Sequence, residues 1–536
     1  MKTIRPTEPY LRDLEYRGFV EGLTIKDKDA KHLCHYFGGL PYALPPTGLF
    51  RWQKPRPLPS CFRYGTRTNP GRYTGGTGIC PQPDDDINPE CWDEDCLQCN
   101  IWMPVGEPPK EGWPVFFWIH GGFLQFGSPN EDDLVALLSE TNFKAIVVMP
   151  AYRLNLFGFL ASRDICENSN GVDLAANLGF WDQRLALEWT HKNISYFGGD
   201  ASNITVGGYS AGSHSTFHQL AYDLGVSDSK SIIRRAIMFS NGPGLQPKSL
   251  DEAETQFNEL LSVLSIPLSL PASEKLAKLR ATEPRKLILA SQKMKYHQFR
   301  AFTDGNFVRH GLFNDLDNGS FARQMKRRGI HLLIGDCRDE HFVYGEWRTP
   351  ENSLESMVRR FEADYPLAAV EAIVDYYCPN GKLPDGWKDW QDAFGRIYAN
   401  IQVHALERGM INQLIKHGAG SLIHRYRIEW RASCVWAPKE WGVTHGTDIV
   451  IWFWGNGAEL KKNEKKVVKE AFHDCFVKFV GGEEMEWGTE GPLDLRVLTP
   501  EGTVVCRKDK MLREGVELWE ILKSVGATGQ GLQMRL

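Results

Sequence analysis

Gly208-Tyr209-Ser210-Ala211-Gly212 follows the apolar run Ile204-Thr205-Val206 and precedes Ser213 to Tyr222, a stretch able to form a helix. A serine between strand and helix, flanked by small residues, fits a sharp turn that holds the hydroxyl outward. Five residues of this kind also fit an ordinary glycine turn. The rest of the chain decides between the two readings.

Around this turn, short β-rich apolar runs alternate with helical periodicity. Candidate strands are Val115 to Ile119, Ala145 to Met149, Ile204 to Gly207, Ala236 to Phe239, Leu332 to Gly335 and Ser421 to Tyr426. Between the second and third, Trp181, Leu185, Leu187, Trp189 and Ile194 recur near helical spacing, with Asp182, Arg184, Glu188 and Lys192 among them, as in an amphipathic crossover helix. The pattern predicts an α/β protein with a mostly parallel central sheet flanked by helices. Leu250 to Asn318 and Pro350 to His417 read as large helical insertions that roof a site. The 536 residues contain no linker, repeat or low-complexity run, so residues 1–536 are read as a single domain.

Composition excludes several function classes. A net charge of -5 with interleaved signs offers no basic stripe for nucleic acid and no polybasic membrane patch. The N-terminus Met1-Lys2-Thr3-Ile4-Arg5 has no apolar signal core, and no run approaches the roughly 18 apolar residues of a membrane span. The C-terminus Gly531 to Leu536 carries no retention or anchor pattern, so a soluble cytoplasmic protein is expected. Among twelve cysteines, Cys80, Cys91, Cys96 and Cys99 lie close together, which raises zinc. Their spacing lacks paired C-x-x-C knuckles and no histidine lies among them, so scattered thiols with one disulfide are preferred and no metal or other cofactor is expected.

A serine nucleophile needs a histidine to take its proton and a carboxylate to orient that histidine. In hydrolases of an α/β fold these follow the serine in the order acid, then histidine. Glu340 lies past the strand-like Leu332 to Gly335 on the loop Asp336 to His341, with Asp339 as its rival, and His445 lies in Gly442-Val443-Thr444-His445-Gly446. Donors for an oxyanion are expected from Ala211 and from the loop His120-Gly121-Gly122-Phe123, directly after Val115 to Ile119. His120 is read as holding that loop in shape.

Taken together these segments resemble the type-B carboxylesterases, the cholinesterase-like α/β-hydrolases. Phe37 to Pro46, Glu94 to Trp102, Tyr152-Arg153, Asn177-Leu178-Gly179, Asp182-Gln183, Phe197 to Asp200, the serine turn and Gly442 to Gly446 all match, so the resemblance spans almost the whole chain. It implies Ser210 as nucleophile, Glu340 as acid, His445 as base, and Gly121, Gly122 and Ala211 around the oxyanion. It also implies polar support near the histidine from Ser240 and Asp448. Structural ion pairs are expected for Arg153 with Asp182 and Arg51 with Glu94. A disulfide between Cys80 and Cys96 is implied too, with Cys91 as a rival partner.

Departures from the family narrow the substrate. Gln98 replaces a common aromatic, Cys99 replaces an aliphatic residue, and the other pairings of secreted members lack partners, which fits a reducing compartment. The sequons at Asn193, Asn203 and Asn318 are then incidental. The loop from Cys80 to Cys96 is short and carries Asp84-Asp85-Asp86, a poor interfacial lid, and Tyr209 stands where cholinesterases carry a glutamate. The expected activity is hydrolysis of a small to medium, apolar or aromatic ester, with Phe123 and Tyr209 contacting it and Phe342, Tyr344 and Trp347 facing the site. Acyl transfer or lactone chemistry with the same triad is the alternative, and a non-catalytic binding role is a third. The sequence says nothing of oligomeric state.

Overall fold

In the strand Trp113-Pro114-Val115-Phe116-Phe117-Trp118-Ile119, alternate side chains enter two different cores: Val115, Phe117 and Ile119 one, Phe116 and Trp118 the other. A strand apolar at every position must be covered on both faces, and the sheet around it is. The computed structural model describes residues 5–83, 88–167 and 176–529. Its main sheet contains β1 (Thr7–Asp13), β2 (Phe19–Lys26), β3 (His32–Pro41), β4 (Gln98–Met103), β5 (Trp113–Ile119) and β6 (Ile146–Pro150), then β7 (Gly199–Tyr209), β8 (Arg235–Phe239), β9 (His331–Cys337), β10 (Ile423–Ile428), β11 (Asp494–Leu498) and β12 (Val504–Lys508). They lie in the order β1-β2-β3-β4-β6-β5-β7-β8-β9-β10-β11-β12, and the short strand Gly71–Arg72 adds to β2.

Strands β6, β5, β7, β8, β9, β10 and β11 pair in parallel. Strands β1 to β4 pair antiparallel at one side and β12 at the other. The expected strands appear as β5 to β10, with β6 beginning one residue later and Ser421 and Leu422 in a 3₁₀ turn before β10. The outer strands carry no comparable apolar signal. In β1 exposure alternates along Thr-Glu-Pro-Tyr-Leu-Arg-Asp and no residue is buried.

Helix α1 (Leu178–Asn193) forms where expected but is not amphipathic. Asp182, Gln183 and Arg184 are as buried as Phe180 and Leu187. Partners distant in sequence allow this: Asp182 accepts Arg153 Nε and Nη2 at 2.8 and 2.7 Å, and Arg184 Nη1 donates to Asp223 at 2.7 Å. Buried charge is tolerated when it is paired and hydrogen-bonded. Helix α2 (Ala211–Gly225) covers the same face with Phe217, Leu220 and Leu224.

Both long insertions are helical, running from Leu250–Val263 to Ser320–Arg328 and from Leu354–Asp364 to Ala405–Lys416. The strand-like exception among the described residues is a bridge between Lys248 and Phe302. Because the central strands share a direction, their carboxyl ends meet along one edge, where α/β sheets place their sites. No helix among the described residues is long and apolar enough to cross a membrane.

Candidate active site

The serine turn is forced by close approach. A Cβ on Gly212 would lie 1.9 Å from Ile119 O, and one on Gly208 would lie 2.2 Å from the Gly212 carbonyl carbon. Only glycine fits either place, so β7 can turn directly into α2. Ser210 sits at the apex with φ +57° and ψ -124°, a conformation costly for a residue with a side chain. Its N–H donates to Phe239 O at the end of β8 at 2.9 Å, and its carbonyl accepts from His214 N at 3.0 Å.

The loop after β5 approaches this turn from the neighbouring strand. Gly122 has φ +101°, and a Cβ there would meet Phe126 O at 1.9 Å. His120 Nδ1–H donates to Gly121 O at 2.9 Å, its ring stacks on Tyr152 with centroids 4.5 Å apart, and the Tyr152 hydroxyl donates to His120 O at 3.0 Å. Burial pushes His120 down to about 4, so it is neutral at pH 7. These bonds hold the loop, as expected of His120. Among the described residues, the N–H groups of Gly121, Gly122 and Ala211 donate to no protein acceptor.

Glu340 and His445 come together from loops 105 residues apart. His445 Nδ1 is 2.5 Å from Glu340 Oε2, and Glu340 Oε1 accepts the Cys337 amide at 2.8 Å. The contact leaves Nε2 as the ring nitrogen turned toward the cavity that Ser210 also lines. Asp339 faces elsewhere: its carboxylate accepts the Val443 amide at 2.9 Å while its own N–H donates to Val443 O at 2.9 Å. It fastens the segment that carries His445 to the loop that carries Glu340, a role with no signature in spacing.

Asp448 and Ser240 lie behind the histidine. Ser240 Oγ is 3.4 Å from Asp448 Oδ2, and the Tyr426 hydroxyl is 3.5 Å from the same oxygen. Burial, reinforced by the nearby charge of Glu340, pushes the Asp448 carboxyl up to about 6, with His445 opposing. Rings border His445 as well: Tyr209 at 4.8 Å and Tyr344 at 4.6 Å between centroids. The Tyr344 hydroxyl reaches to 3.5 Å from Nε2. Tyr344 was expected near the site only as an aromatic. The four-residue spacing from Glu340, one turn of the following short helix His341–Glu346, is the signal that points its hydroxyl inward.

Two cavities meet at Ser210. The larger, about 580 Å³, is lined by Gly121, Gly122, Phe123, Phe126, Tyr209, Val343, Trp436 and His445 among others. The smaller, about 50 Å³, lies on the side of Ala211, Leu124 and Leu245 and ends at Arg300 and Asp364. Phe123 borders both, stacked on Trp347 at 5.1 Å. Of the aromatics expected to face the site, none of Phe342, Tyr344 and Trp347 lines either cavity: Tyr344 packs on His445 and Trp347 on Phe123, while Phe342 packs on His341 at 4.2 Å, carried away by the helical rotation that brings Val343 inward.

Cys80 and Cys96 are joined by a disulfide, Cys91 is exposed and unpaired, and Cys99 is buried in β4. The four cysteines therefore form no common centre, and among the described residues no group of ligating side chains could hold a metal. Asp84-Asp85-Asp86, on which the acidic-loop reading rests, lies outside the described residues. Arg51 and Glu94 form the expected pair, with Arg51 Nη1 also donating to the carbonyls of Leu279, Arg280 and Thr282.

The chain has relatives among known proteins over nearly its whole length. A family model described as "Carboxylesterase family" matches residues 9–491. A protein of Gibberella moniliformis named "Carboxylic ester hydrolase" is 48% identical over 96% of this chain and 97% of its own. An uncharacterized esterase/lipase of Schizosaccharomyces pombe is 38% identical over 98% of each. The crystal structure of EstA from Aspergillus niger superposes with a TM-score of 0.75 at 21% identity, covering 96% of this chain and 98% of that one, a likeness of fold.

Proposed function

The chain belongs to the carboxylesterase family and is a serine hydrolase of that type, and on that footing we propose that Ser210, His445 and Glu340 hydrolyse small to medium, apolar or aromatic carboxylic esters through an acyl-enzyme. The observation that carries the reading is the His445 to Glu340 contact of 2.5 Å, beside a serine held at positive φ. His445 Nε2 takes the Ser210 proton as Oγ attacks the ester carbonyl, and Glu340 stabilises the imidazolium. The amides of Gly121, Gly122 and Ala211 receive the oxyanion, each donor contributing on the order of 3 kcal/mol to the transition state. The proton then passes to the leaving alcohol, and water repeats the cycle on the acyl-enzyme to release the free acid.

Ser240 and Asp448 steady the histidine from behind, while Phe123 and Tyr209 form walls against the substrate. We read the whole chain as one working unit, supported by a single sheet that takes strands from Thr7 to Lys508. A reducing, cytoplasmic setting is supported by the exposed thiols of Cys61, Cys91 and Cys506. The test is labelling by a fluorophosphonate. Wild-type protein should be modified once, at Ser210, and Ser210→Ala should lose both labelling and turnover. Modification at another residue with turnover retained overturns the triad. Recovery of an ester or lactone instead of the free acid would favour acyl transfer.

A further inference from the structure

We propose that Gln82 is a positioning residue for the oxyanion amides, holding the loop after β5 in the arrangement that presents the Gly122 N–H to the reacting oxygen. Resting on the serine-hydrolase reading above, this role adds a residue from a segment that the triad does not include. Gln82 is 0% exposed and lines neither cavity at Ser210, so it stands away from the substrate. Its amide bonds to backbone. Oε1 accepts the Gly127 N–H at 2.7 Å, while Nε2 donates to Gly127 O at 3.4 Å and to Cys80 O at 3.0 Å. The side chain thus pairs with both backbone groups of Gly127, as a residue of a neighbouring strand would.

At Gly127 the loop folds back on its own start. Gly127 has φ +107°, and a Cβ there would lie 2.8 Å from both Gly121 O and His120 Nδ1, so it packs against the bond between them. The Gly121 carbonyl and the Gly122 N–H belong to one peptide unit, which is planar and trans, so the two point in opposite directions. Whatever fixes that carbonyl therefore fixes that amide. His120 Nδ1–H holds the Gly121 carbonyl by its bond of 2.9 Å, and Gly127 closes the space around the bond. Gln82 in turn fixes Gly127.

Gln82 is itself anchored. Cys80, whose carbonyl it binds, is buried and joined to Cys96. Asn155 Nδ2 donates to Pro81 O at 2.8 Å and to Gln125 O at 3.1 Å, which ties the residue before Gln82 to the same loop. Without the Gln82 amide, the N–H and C=O of buried Gly127 lose these partners, and rotation of Gly127 toward others carries the Gly121 peptide with it. A displacement on the order of 1 Å at an oxyanion donor costs about 10²-fold in rate. Binding of the ground state, which the cavity walls provide, stays as it was.

The test uses the full chain with p-nitrophenyl butyrate as substrate and benzyl trifluoromethyl ketone as inhibitor. Ser210 Oγ adds to the ketone carbon, the carbonyl π pair moves to oxygen and the Ser210 proton passes to His445 Nε2, so the adduct carries the oxyanion of the transition state. Gln82→Met keeps the length and loses the amide. Its kcat should fall about 30- to 100-fold, with ketone affinity falling in parallel and KM within about twofold of wild type. In Gln82→Glu the buried carboxyl both donates and accepts only when protonated, so kcat relative to wild type should rise at least about fivefold from about pH 8 to about pH 6. A Gln82→Met variant that loses melting temperature but keeps kcat within about threefold, or loses kcat with ketone affinity unchanged, overturns the role. So does a Gln82→Glu ratio that is independent of pH. Wild-type protein that neither hydrolyses the ester nor is labelled at Ser210 by the fluorophosphonate overturns the serine-hydrolase reading instead.

Discussion

The Tyr344 hydroxyl stands 3.5 Å from His445 Nε2, so a phenol borders the ring nitrogen that faces the cavity lined by Ser210. An alcohol leaving from Ser210 would pass beside this group. Tyr344→Phe keeps the ring packing against Phe123 and Tyr398 and removes only the oxygen. With poor leaving groups, kcat/KM should fall about tenfold, the scale of one lost hydrogen bond, and with p-nitrophenyl esters it should barely change. An equal loss for both leaving groups would refute a role at the leaving oxygen.

Glu340 and Asp339 are adjacent acids with separable duties. Glu340→Gln should lower kcat by roughly 10³ to 10⁴ while the melting temperature holds, because the imidazole loses its orienting partner. Asp339→Ala should cost about 1 to 3 kcal/mol of stability through the unpaired Val443 amide, with a smaller effect on kcat. Denaturant melts and kinetics on the two variants separate them. Interchanged phenotypes would reverse the assignment.

Asp448 gives stability an unusual pH dependence. Its carboxyl is raised from 3.8 to about 6, so the native state keeps the proton longer than the unfolded chain does. Stability contributed by this group therefore declines as pH climbs from about 4 to 6 and is level above that, a loss on the order of 3 kcal/mol. Asp448→Asn should melt higher than wild type above pH 6, with the advantage shrinking toward pH 4. Thermal melts across that range decide it, and a pH-independent difference counts against the account.

Buried histidines act in the opposite direction. His120 and His473 are both pushed from 6.5 down to about 4 by burial, and neither ring nitrogen of His473 has a partner. Native protein binds fewer protons at these sites, so their stabilising effect is full above pH 6.5 and is lost as pH falls through 4, about 3 kcal/mol each. His473→Gln should lose less stability than wild type between pH 6.5 and 4. Parallel acid-unfolding curves would count against it.

Much of the site was legible because its local requirements leave marks in sequence. The glycines at 208 and 212 and the loop at 121 and 122 are imposed by contacts of 1.9 to 2.2 Å in three cases, and only one residue type meets them. The doubly covered strands β5 to β10 were legible for a similar reason. Outer strands such as β1 were not, since one-sided exposure leaves no apolar run. Charges inside α1 misled because Arg153 and Asp223, which neutralise them, are 29 and 39 residues away. The size of each cavity arises from insertions packing against Phe123 and Arg300, a relation no local pattern records.

The two hydrogen bonds between Asp339 and Val443 also bear on how such a protein can diversify. They pin together the two ends of a 104-residue excursion that includes β10, so the acid and the base ride on a fastened stem while the helices between Glu340 and β10 hang from it as a replaceable graft. Lengthening, trimming or exchanging the helical part of that excursion, before β10, reshapes what the enzyme accepts and leaves the separation of Glu340 and His445 untouched. Chemistry and selectivity are thereby inherited as separate parts.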